Sequence, residues 1–224
     1  REVDPCYVWG QAISAIAAFD PHVTVLNLEN ALTTSDDFDP HKGIHYRAHP
    51  RNAAVIGCVP RPVCTLANNH VLDLGAAGLA ESLETLERAG IRHCGAGREL
   101  GAARRPAVST ESAPDSNHPR VAVIACCTAD AGVPPLWEAT TGQPGVHVLH
   151  ELDATEVESL RTLANRVRRG RTTVVVSLHW GSNWGYDVAP EKREFAHALV
   201  DAGVADVIHG HSSHHPRPFE IYRS

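Results

Sequence analysis

The segment TTVVVSLH at residues 172–179 has an apolar, valine-rich centre, ends at His179 and leads into Trp180. A short run of this kind, rich in valine, is typical of a buried strand. The segment ADVIHG at residues 205–210 has the same character and leads into His211. Both segments therefore predict buried strands with histidine at their carboxyl ends.

Short apolar runs alternate with amphipathic segments along the rest of the chain, which is the pattern of βαβ units. The other predicted strands cover residues 22–28, 62–66, 91–94, 120–127 and 218–222. The predicted helices cover residues 10–19, 76–89, 153–169 and 191–203. Segments 29–50 and 128–150 are predicted to be long loops, which in compact domains are more often functional than accidental. The sequence predicts a single α/β domain over residues 1–224, with helices layered on a sheet.

The composition excludes several classes of protein. The chain has 224 residues, 43% of them hydrophobic, and a formal net charge of −6. These values suit a globular domain with a sizeable core, and they lack the basic surface of a non-specific nucleic-acid binder. Since no run approaches the roughly 18 apolar residues of a membrane span, we expect a soluble chain. The 15 histidines are the feature that needs an explanation.

The six cysteines form no C-x-x-C pair, which argues against a zinc ribbon or a thioredoxin motif. An even count permits disulfides, but a domain of this size does not need them, so we expect free thiols and a reducing, cytoplasmic location. The first residues, REVDPCYVWG, lack an initiator methionine and the layout of a signal peptide. A chain trimmed at both ends is therefore expected.

Potential metal ligands follow four of the predicted strands. They are Glu29 after the first strand, Asn69 and His70 after the second, His179, and the group His209, His211, His214 and His215. Because the carboxyl ends of strands border the ligand crevice of an α/β sheet, we expect these side chains to face one site. Imidazole, carboxylate and amide ligands together suit a hydrolytic site for divalent metals.

Each of these residues also has an ordinary structural interpretation. A Glu after a strand is usually a solvated cap, and an Asn-Asn-His turn is common turn chemistry. His179 could be a core histidine. The four histidines within residues 209–215 are harder to explain, because burying several imidazoles without partners is costly. Taken jointly, the four strand ends favour a shared site over coincidence.

With these residues in place, the sequence resembles the CapA family, the poly-γ-glutamate capsule synthesis proteins of the calcineurin-like metallophosphatase superfamily. The matching stretches occur in the family's order and spread over nearly the whole chain. They are NLE (27–29), KGIHYRAHP (42–50), LANNHVLDLGAAGL (66–79), GAG (95–97), SLHWGSNWGY (177–186) and IHGHSSHHPRPFEIY (208–222).

The resemblance implies a metallophosphatase-like β-sandwich flanked by helices (αββα) and a site for two divalent metal ions, Zn, Mn or Fe. Glu29 is similar to the carboxylate that bridges the two metals. Asn69, His179 and His211 would bind one metal, and His214 the other. The family usually opens with a Gly-Asp that supplies a further ligand, and nothing in residues 1–21 matches it.

The resemblance also implies roles in catalysis. His70 is similar to the histidine that serves as general acid, and Asp73 would orient its ring. Arg47, in the loop after Glu29, is a candidate anchor for a substrate anion. Trp180 follows a ligand strand and could wall the substrate pocket, although structural packing explains it equally well.

The leading hypothesis is a metal-dependent hydrolase that uses metal-activated water on a phosphoester or related bond of a small-molecule or polymer substrate. A second hypothesis is a non-hydrolytic component of poly-γ-glutamate production, acting in assembly or export with membrane partners. A third is an esterase or amidase that uses the same site. A serine hydrolase is disfavoured because no G-x-S-x-G motif occurs.

Overall fold

The computed structural model describes residues 3–109 and 120–223. Its helices are α1 (Ala12–Phe19), α2 (Ala53–Ile56), α3 (Gly75–Arg88), α4 (Leu100–Ala103), α5 (Ala154–Val167) and α6 (Pro190–Asp201). Its strands are β1 (Thr24–Asn27), β2 (Ala31–Leu32), β3 (Arg47–Ala48), β4 (Pro62–Thr65), β5 (Arg92–Cys94), β6 (Ala96–Gly97), β7 (Ala107–Val108), β8 (Arg120–Cys127), β9 (Gly145–Val146), β10 (Thr172–His179) and β11 (Val207–His211). None of the helices in these two ranges is long and apolar enough to span a bilayer.

The strands form two larger sheets and two small ribbons. One sheet has the order β1-β4-β5 and is parallel throughout. The other has the order β11-β10-β8-β7, and its strands are parallel except for the β7–β8 pair. The ribbons pair β2 with β3 and β6 with β9. Parallel neighbours bring their carboxyl ends to the same edge, which places His179 of β10 directly beside His211 of β11.

The larger sheet is buried on both faces, since its central strands β8 and β10 are each buried at all positions but one. Val123 of β8 belongs to a core that also contains Val63 of the smaller sheet. Ile124, the next residue, points to the opposite face and packs with Leu160 of α5 and Phe195 of α6. The prediction of an α/β fold is therefore confirmed, with two sheets sharing one core and helices covering the outer face of the larger sheet.

Six of the predicted strands correspond to strands β1, β4, β5, β8, β10 and β11. The strand predicted at 218–222 is wrong, since this segment has no regular structure. Its apolar side chains point to solvent, with Phe219 95% and Ile221 81% exposed. Alternating apolar residues make a stable strand only where a neighbouring strand pairs with the backbone, and none of the described strands pairs here.

The expectation of free thiols is wrong for Cys6 and Cys58, which form a disulfide with their Cα atoms 5.5 Å apart. The short 3-10 helix Pro5–Trp9 packs beside α2, and the Trp9 indole donates to the Val55 carbonyl at 2.8 Å, so the two thiols meet. The expectation is confirmed for the other cysteines, which are buried and free: Cys64, Cys94, Cys126 and Cys127.

Candidate functional site

The centre of the candidate site is a pair of histidines at the ends of two adjacent parallel strands. His179 and His211 are register partners, and their Nδ1 atoms lie 2.9 Å apart. The Trp180 N–H donates to the His211 carbonyl at 3.0 Å, which continues the strand pairing past the two rings. Strand register alone therefore sets the distance between these imidazoles.

Asn69 joins this pair from the other sheet. It follows β4, and its side-chain Oδ1 lies 3.2 Å from His179 Nε2. Asn69 also lies against Gly132, where an added Cβ would come within 3.3 Å of the amide nitrogen. The two sheets thus contribute to one group of nitrogen and oxygen donors, Asn69, His179 and His211.

Burial keeps both imidazoles neutral. Desolvation, reinforced by His70 and His214 nearby, lowers the pKa of His179 to about 4. Desolvation, together with the neighbouring His179 and His209, lowers the pKa of His211 to about 2. At neutral pH each ring therefore has one N–H and one unprotonated nitrogen, the form that binds metals.

A chain of hydrogen bonds assigns the tautomers of these rings. Ser177 Oγ lies 3.0 Å from His209 Nδ1 and 2.9 Å from His211 Nε2. If His179 donates from Nε2 to the Asn69 oxygen, its Nδ1 must accept from His211, whose Nε2 then accepts from Ser177. Every polar atom between His209 and Asn69 is satisfied in this arrangement without a charged ring.

Glu29 and His214 form a second, looser pair. His214 Nε2 lies 3.8 Å from Glu29 Oε1, and the Asn27 side chain donates to Glu29 Oε2 at 2.6 Å. Asn68, the residue before Asn69, donates to the side-chain oxygen of Asn27 at 3.1 Å and so connects this pair with the first group. Glu29 is therefore held by its own strand end and faces the loop that follows β11.

In the Asn68-Asn69-His70 turn, the first residue stabilises the backbone and the other two contribute side chains to the site. Asn68 is fully buried, and its Oδ1 accepts from the backbone N–H of His70 at 3.1 Å and of Val71 at 3.0 Å. Its Nδ2 donates to the Leu28 carbonyl at 2.9 Å, which ties the turn to the end of β1. Because Asn68 performs this turn chemistry, Asn69 and His70 remain available to the site.

His70 is oriented by a buried carboxylate. Its Nδ1 lies 2.7 Å from Asp73 Oδ2, and the Tyr46 N–H donates to the same oxygen at 2.6 Å. Lys42 donates to Asp73 Oδ1. Burial opposes ionisation of Asp73, but the hydrogen bonds from His70, Lys42 and Tyr46 outweigh it and lower the pKa of this carboxyl.

The two predicted substrate-binding residues have contacts of other kinds. Arg47 donates to the Ser35 carbonyl at 2.8 Å and pairs with Asp36, which anchors it within its own loop. The Trp180 ring packs on Phe195 with ring centroids 6.4 Å apart, on the helix side of the sheet. Their roles in substrate binding stay predictions.

The donor set of the site consists of two imidazoles and an amide oxygen rather than a dense cluster of acidic and imidazole side chains. Across residues 3–109 and 120–223, no group of three or more His, Cys, Asp or Glu side chains is placed to hold a metal ion. The tightest group contains two histidines, and its third donor is the amide of Asn69. Neutral imidazoles with an amide or carboxylate oxygen suit a divalent transition metal, so these residues fit such an ion by chemistry.

Sequence reasoning missed Lys42, Tyr46 and Ser177, whereas turn chemistry was the ordinary interpretation of the segment that contains Asn68. The first two lie in the matching stretch KGIHYRAHP, which was the available signal for them. Nothing in sequence spacing relates Lys42 to Asp73, since the two meet only through the fold.

Comparison with known proteins places the sequence among capsule synthesis proteins. The model of the family described as "Bacterial capsule synthesis protein PGA_cap" matches residues 1–224. A "Probable polyglutamine synthesis accessory protein" of Mycobacterium tuberculosis is 41% identical over 225 residues, which cover 99% of this chain and 57% of that protein.

Two more distant relatives share the name CapA. The "PGA biosynthesis protein CapA" of Bacillus subtilis is 27% identical over 197 residues, which cover 88% of this chain and 48% of that protein. The "Capsule biosynthesis protein CapA" of Bacillus anthracis is 28% identical over 183 residues, which cover 81% of this chain and 42% of that protein. The chain spans about half the length of these curated relatives.

Proposed function

This chain belongs to the CapA family of bacterial capsule synthesis proteins, and we propose that it is a metal-dependent hydrolase of phosphoester or related bonds. The observation that carries the proposal is the convergence of Asn69, His179 and His211 from two sheets, with both imidazoles held neutral by burial. Neutral rings with an amide oxygen at strand ends are suited to a hydrolytic metal site.

Within the α/β class, we assign the fold to the metallophosphatase-like β-sandwich flanked by helices. Two features support this assignment. Val63 and Val123, from different sheets, share one core, and α5 and α6 cover the outer face of the larger sheet. The candidate ligands lie at the carboxyl ends of β1, β4, β10 and β11, where such a fold would place its site.

In this proposal Asn69, His179 and His211 hold one divalent cation, while Glu29 and His214 hold a second, with Glu29 shared. When bound, two such cations would supply a hydroxide nucleophile by lowering the pKa of a water molecule towards neutrality.

His70 Nδ1–H donates to Asp73, so Nε2 is the nitrogen that is free to bind a second proton. The imidazolium form would deliver that proton from Nε2 to the leaving group. The Tyr46 ring lies against the imidazole of His70, with ring centroids 4.2 Å apart, and limits its rotation.

The test is a hydrolysis screen of the purified chain with added Mn or Zn. The substrates are a phosphomonoester, a phosphodiester, a carboxylic ester and a γ-glutamyl amide, so that the phosphatase, esterase and amidase hypotheses are compared directly. We expect metal-dependent turnover of a phosphoester, and His70→Ala should reduce kcat by about 100- to 10,000-fold, as loss of a general acid does.

The matched control is His215→Ala, which removes a half-buried histidine from the loop that carries His214. It should retain turnover. Absence of turnover on all four substrates with either metal would contradict the hydrolase proposal, and turnover of the γ-glutamyl amide alone would favour the amidase hypothesis.

A second candidate function is polymer binding in capsule synthesis, and a basic cavity favours it. A cavity of about 850 Å³ between α4 and α5 is lined by Arg104, Arg105 and Arg166, and its acidic lining residue is Glu99. Arg104 Nε is buried and has no hydrogen-bond partner among the described residues. Guanidinium groups bind carboxylates in a fork geometry, so a polymer of glutamate is a suitable ligand.

Binding of poly-γ-glutamate to the wild type and to the double variant Arg105→Ala, Arg166→Ala tests this candidate. The control is Arg161→Ala, which removes an exposed arginine of the same helix that pairs with Glu158. Equal binding by all three proteins would contradict a role for the cavity.

The disulfide indicates the kind of cellular compartment in which either function would be performed. Disulfides persist in oxidising compartments and are rare in the cytosol. The Cys6–Cys58 bond therefore favours an oxidising location over the cytoplasmic one that the cysteine pattern predicted.

A further inference from the structure

Lys42 lies against the carboxylate that orients His70, although the sequence assigned it no role. Its side chain is 14% exposed, whereas the side chain of Asp73 is fully buried. The ammonium group donates to Asp73 Oδ1 and also to the backbone carbonyl of Asn69. One cation from the loop between β2 and β3 thus reaches both the orienting carboxylate and the turn that carries a candidate metal ligand.

The donors of Lys42 are fully used by the protein. An ammonium group has three N–H donors. Two point to Asp73 and Asn69, and Nζ also lies 3.4 Å from His70 Nδ1 and 4.7 Å from the ring centroid of Trp137, a cation–π contact. Trp137 is in turn held by Asp39, whose carboxylate accepts from the indole N–H at 3.2 Å. A substrate anion would have to displace one of these partners, so the geometry disfavours a substrate-binding role.

We propose that Lys42 is a positioning residue, which fixes Asp73 as a hydrogen-bond acceptor and so holds His70 in the tautomer protonated at Nδ1. The consequence for turnover rests on the proposed hydrolase function. The consequence for the His70 tautomer does not, because it concerns the protein alone.

The reasoning starts from the two states open to a buried carboxyl group. A protonated Asp73 could donate to His70 Nδ1 and leave the imidazole proton on Nε2. An ionised Asp73 can only accept, so His70 Nδ1 must donate. The Lys42 ammonium at Oδ1 and the Tyr46 N–H, which donates to Oδ2 at 2.6 Å, both stabilise the ionised carboxylate, and an ionised Oδ2 accepts from His70 Nδ1 at 2.7 Å.

The direct readout is the position of the imidazole proton, measured by long-range ¹H–¹⁵N NMR on ¹⁵N-histidine-labelled protein, with the His70 signals assigned from their loss in His70→Gln. In the wild type the proton should reside on Nδ1. In Lys42→Met the Nε2–H tautomer should become populated, and Lys42→Arg should restore the wild-type pattern. A His70 tautomer unchanged in folded Lys42→Met would overturn the proposal.

Kinetics supply a second readout. Loss of a group that orients a catalytic side chain typically costs about 10- to 100-fold in activity. We expect Lys42→Met to lower kcat by this factor with KM little changed, since the ammonium does not touch the substrate. Combined with Asp73→Asn, its effect should be less than multiplicative, because both act through the same ring. If the effects of the two substitutions on kcat multiplied fully, the proposal that Lys42 and Asp73 both act through His70 would be contradicted.

Folding is controlled in two ways. Lys42→Gln keeps N–H donors without the charge, and it replaces Lys42→Met if that variant does not fold. Lys192→Met removes another nearly buried lysine, which pairs with Asp130 at 2.7 Å. It should lower stability without moving the His70 proton, and a His70 tautomer that shifts equally in Lys192→Met would overturn a specific role for Lys42. If the wild type hydrolyses nothing, the proposed function fails while the NMR result still decides the role of Lys42.

Discussion

The Nδ1 atoms of His179 and His211 lie 2.9 Å apart because their strands pair in parallel with these residues in register. Two nitrogens at this distance require a proton between them, so one ring donates and the other accepts. The hydrogen-bond chain from His209 through Ser177 to His211, His179 and Asn69 satisfies that requirement with neutral rings. This hydrogen-bond chain therefore links the ends of β10 and β11 with the turn that follows β4.

The first prediction concerns Ser177, which is fully buried and joins His209 to His211. Ser177→Ala removes partners from two buried ring nitrogens, and unsatisfied buried polar groups cost about 1–3 kcal/mol each. Urea unfolding should show a loss of stability in this range. The control, Thr162→Ala, removes an exposed hydroxyl from α5 and should have little effect. If the Ser177→Ala protein were as stable as this control, the proposed hydrogen-bond chain through Ser177 would be contradicted.

The second prediction concerns Ser212, which directly follows His211. Its φ of 123° is rarely adopted by residues other than glycine, and its Oγ donates to the Gly181 carbonyl at 2.9 Å. Such strained backbone costs about 1–3 kcal/mol. Ser212→Ala loses the hydrogen bond and keeps the strain, whereas Ser212→Gly loses the bond and relieves the strain. The glycine variant should therefore have a higher Tm than the alanine variant. The reverse order would contradict the proposed backbone strain at Ser212.

The third prediction concerns the Cys6–Cys58 disulfide, which joins two cysteines 52 residues apart in the sequence. The chain-entropy relation for a loop of this length gives about 4 kcal/mol of stabilisation. Cys6→Ser with Cys58→Ser should lower the free energy of unfolding by up to this amount. Thiol titration of the unreduced, denatured wild type should find the four free cysteines, and a count of six would contradict the bond.

The fourth prediction is a dependence of stability on acid. Asp130 accepts from Lys192 Nζ at 2.7 Å and from the Gly181 N–H at 3.2 Å. Burial opposes its ionisation, yet these bonds prevail and lower its pKa in the folded state. Its contribution is therefore present above the unfolded pKa and is lost as pH falls through the folded pKa.

Urea unfolding of the wild type and Asp130→Asn across a range of pH checks this sign. The wild type should be the more stable protein at neutral pH, and the difference should shrink below about pH 4, the usual range of the group. A difference that grew on acidification would show that the pKa of Asp130 is raised instead.

Much of the fold followed from the sequence because its central strands are extreme in composition. RVAVIACC is apolar at every position after its first and TTVVVSLH has a valine-rich centre, and such segments have few alternatives to a buried strand. The segment PFEIY at 218–222 has an apolar pattern too, but a pattern does not supply a pairing partner. Its Phe219 is 95% exposed as a result.

The site was predictable only where it follows from strand ends. His179, His211 and Asn69 end or follow predicted strands, so sheet geometry brings them together. Lys42 and the Cys6–Cys58 pair depend on how loops and turns pack across large distances in sequence, which no local pattern encodes.

The most direct test of the metal-site proposal is elemental analysis of the purified protein, after incubation with Mn, Zn or Fe and removal of unbound ions, for the wild type and three variants. His211→Ala and Asn69→Ala remove proposed ligands, while His209→Ala removes a neighbouring histidine that is not one. We predict bound divalent metal in the wild type and in His209→Ala, and strongly reduced metal in the other two. A folded wild type that retains no metal, or ligand variants that retain as much as His209→Ala, would contradict the metal site.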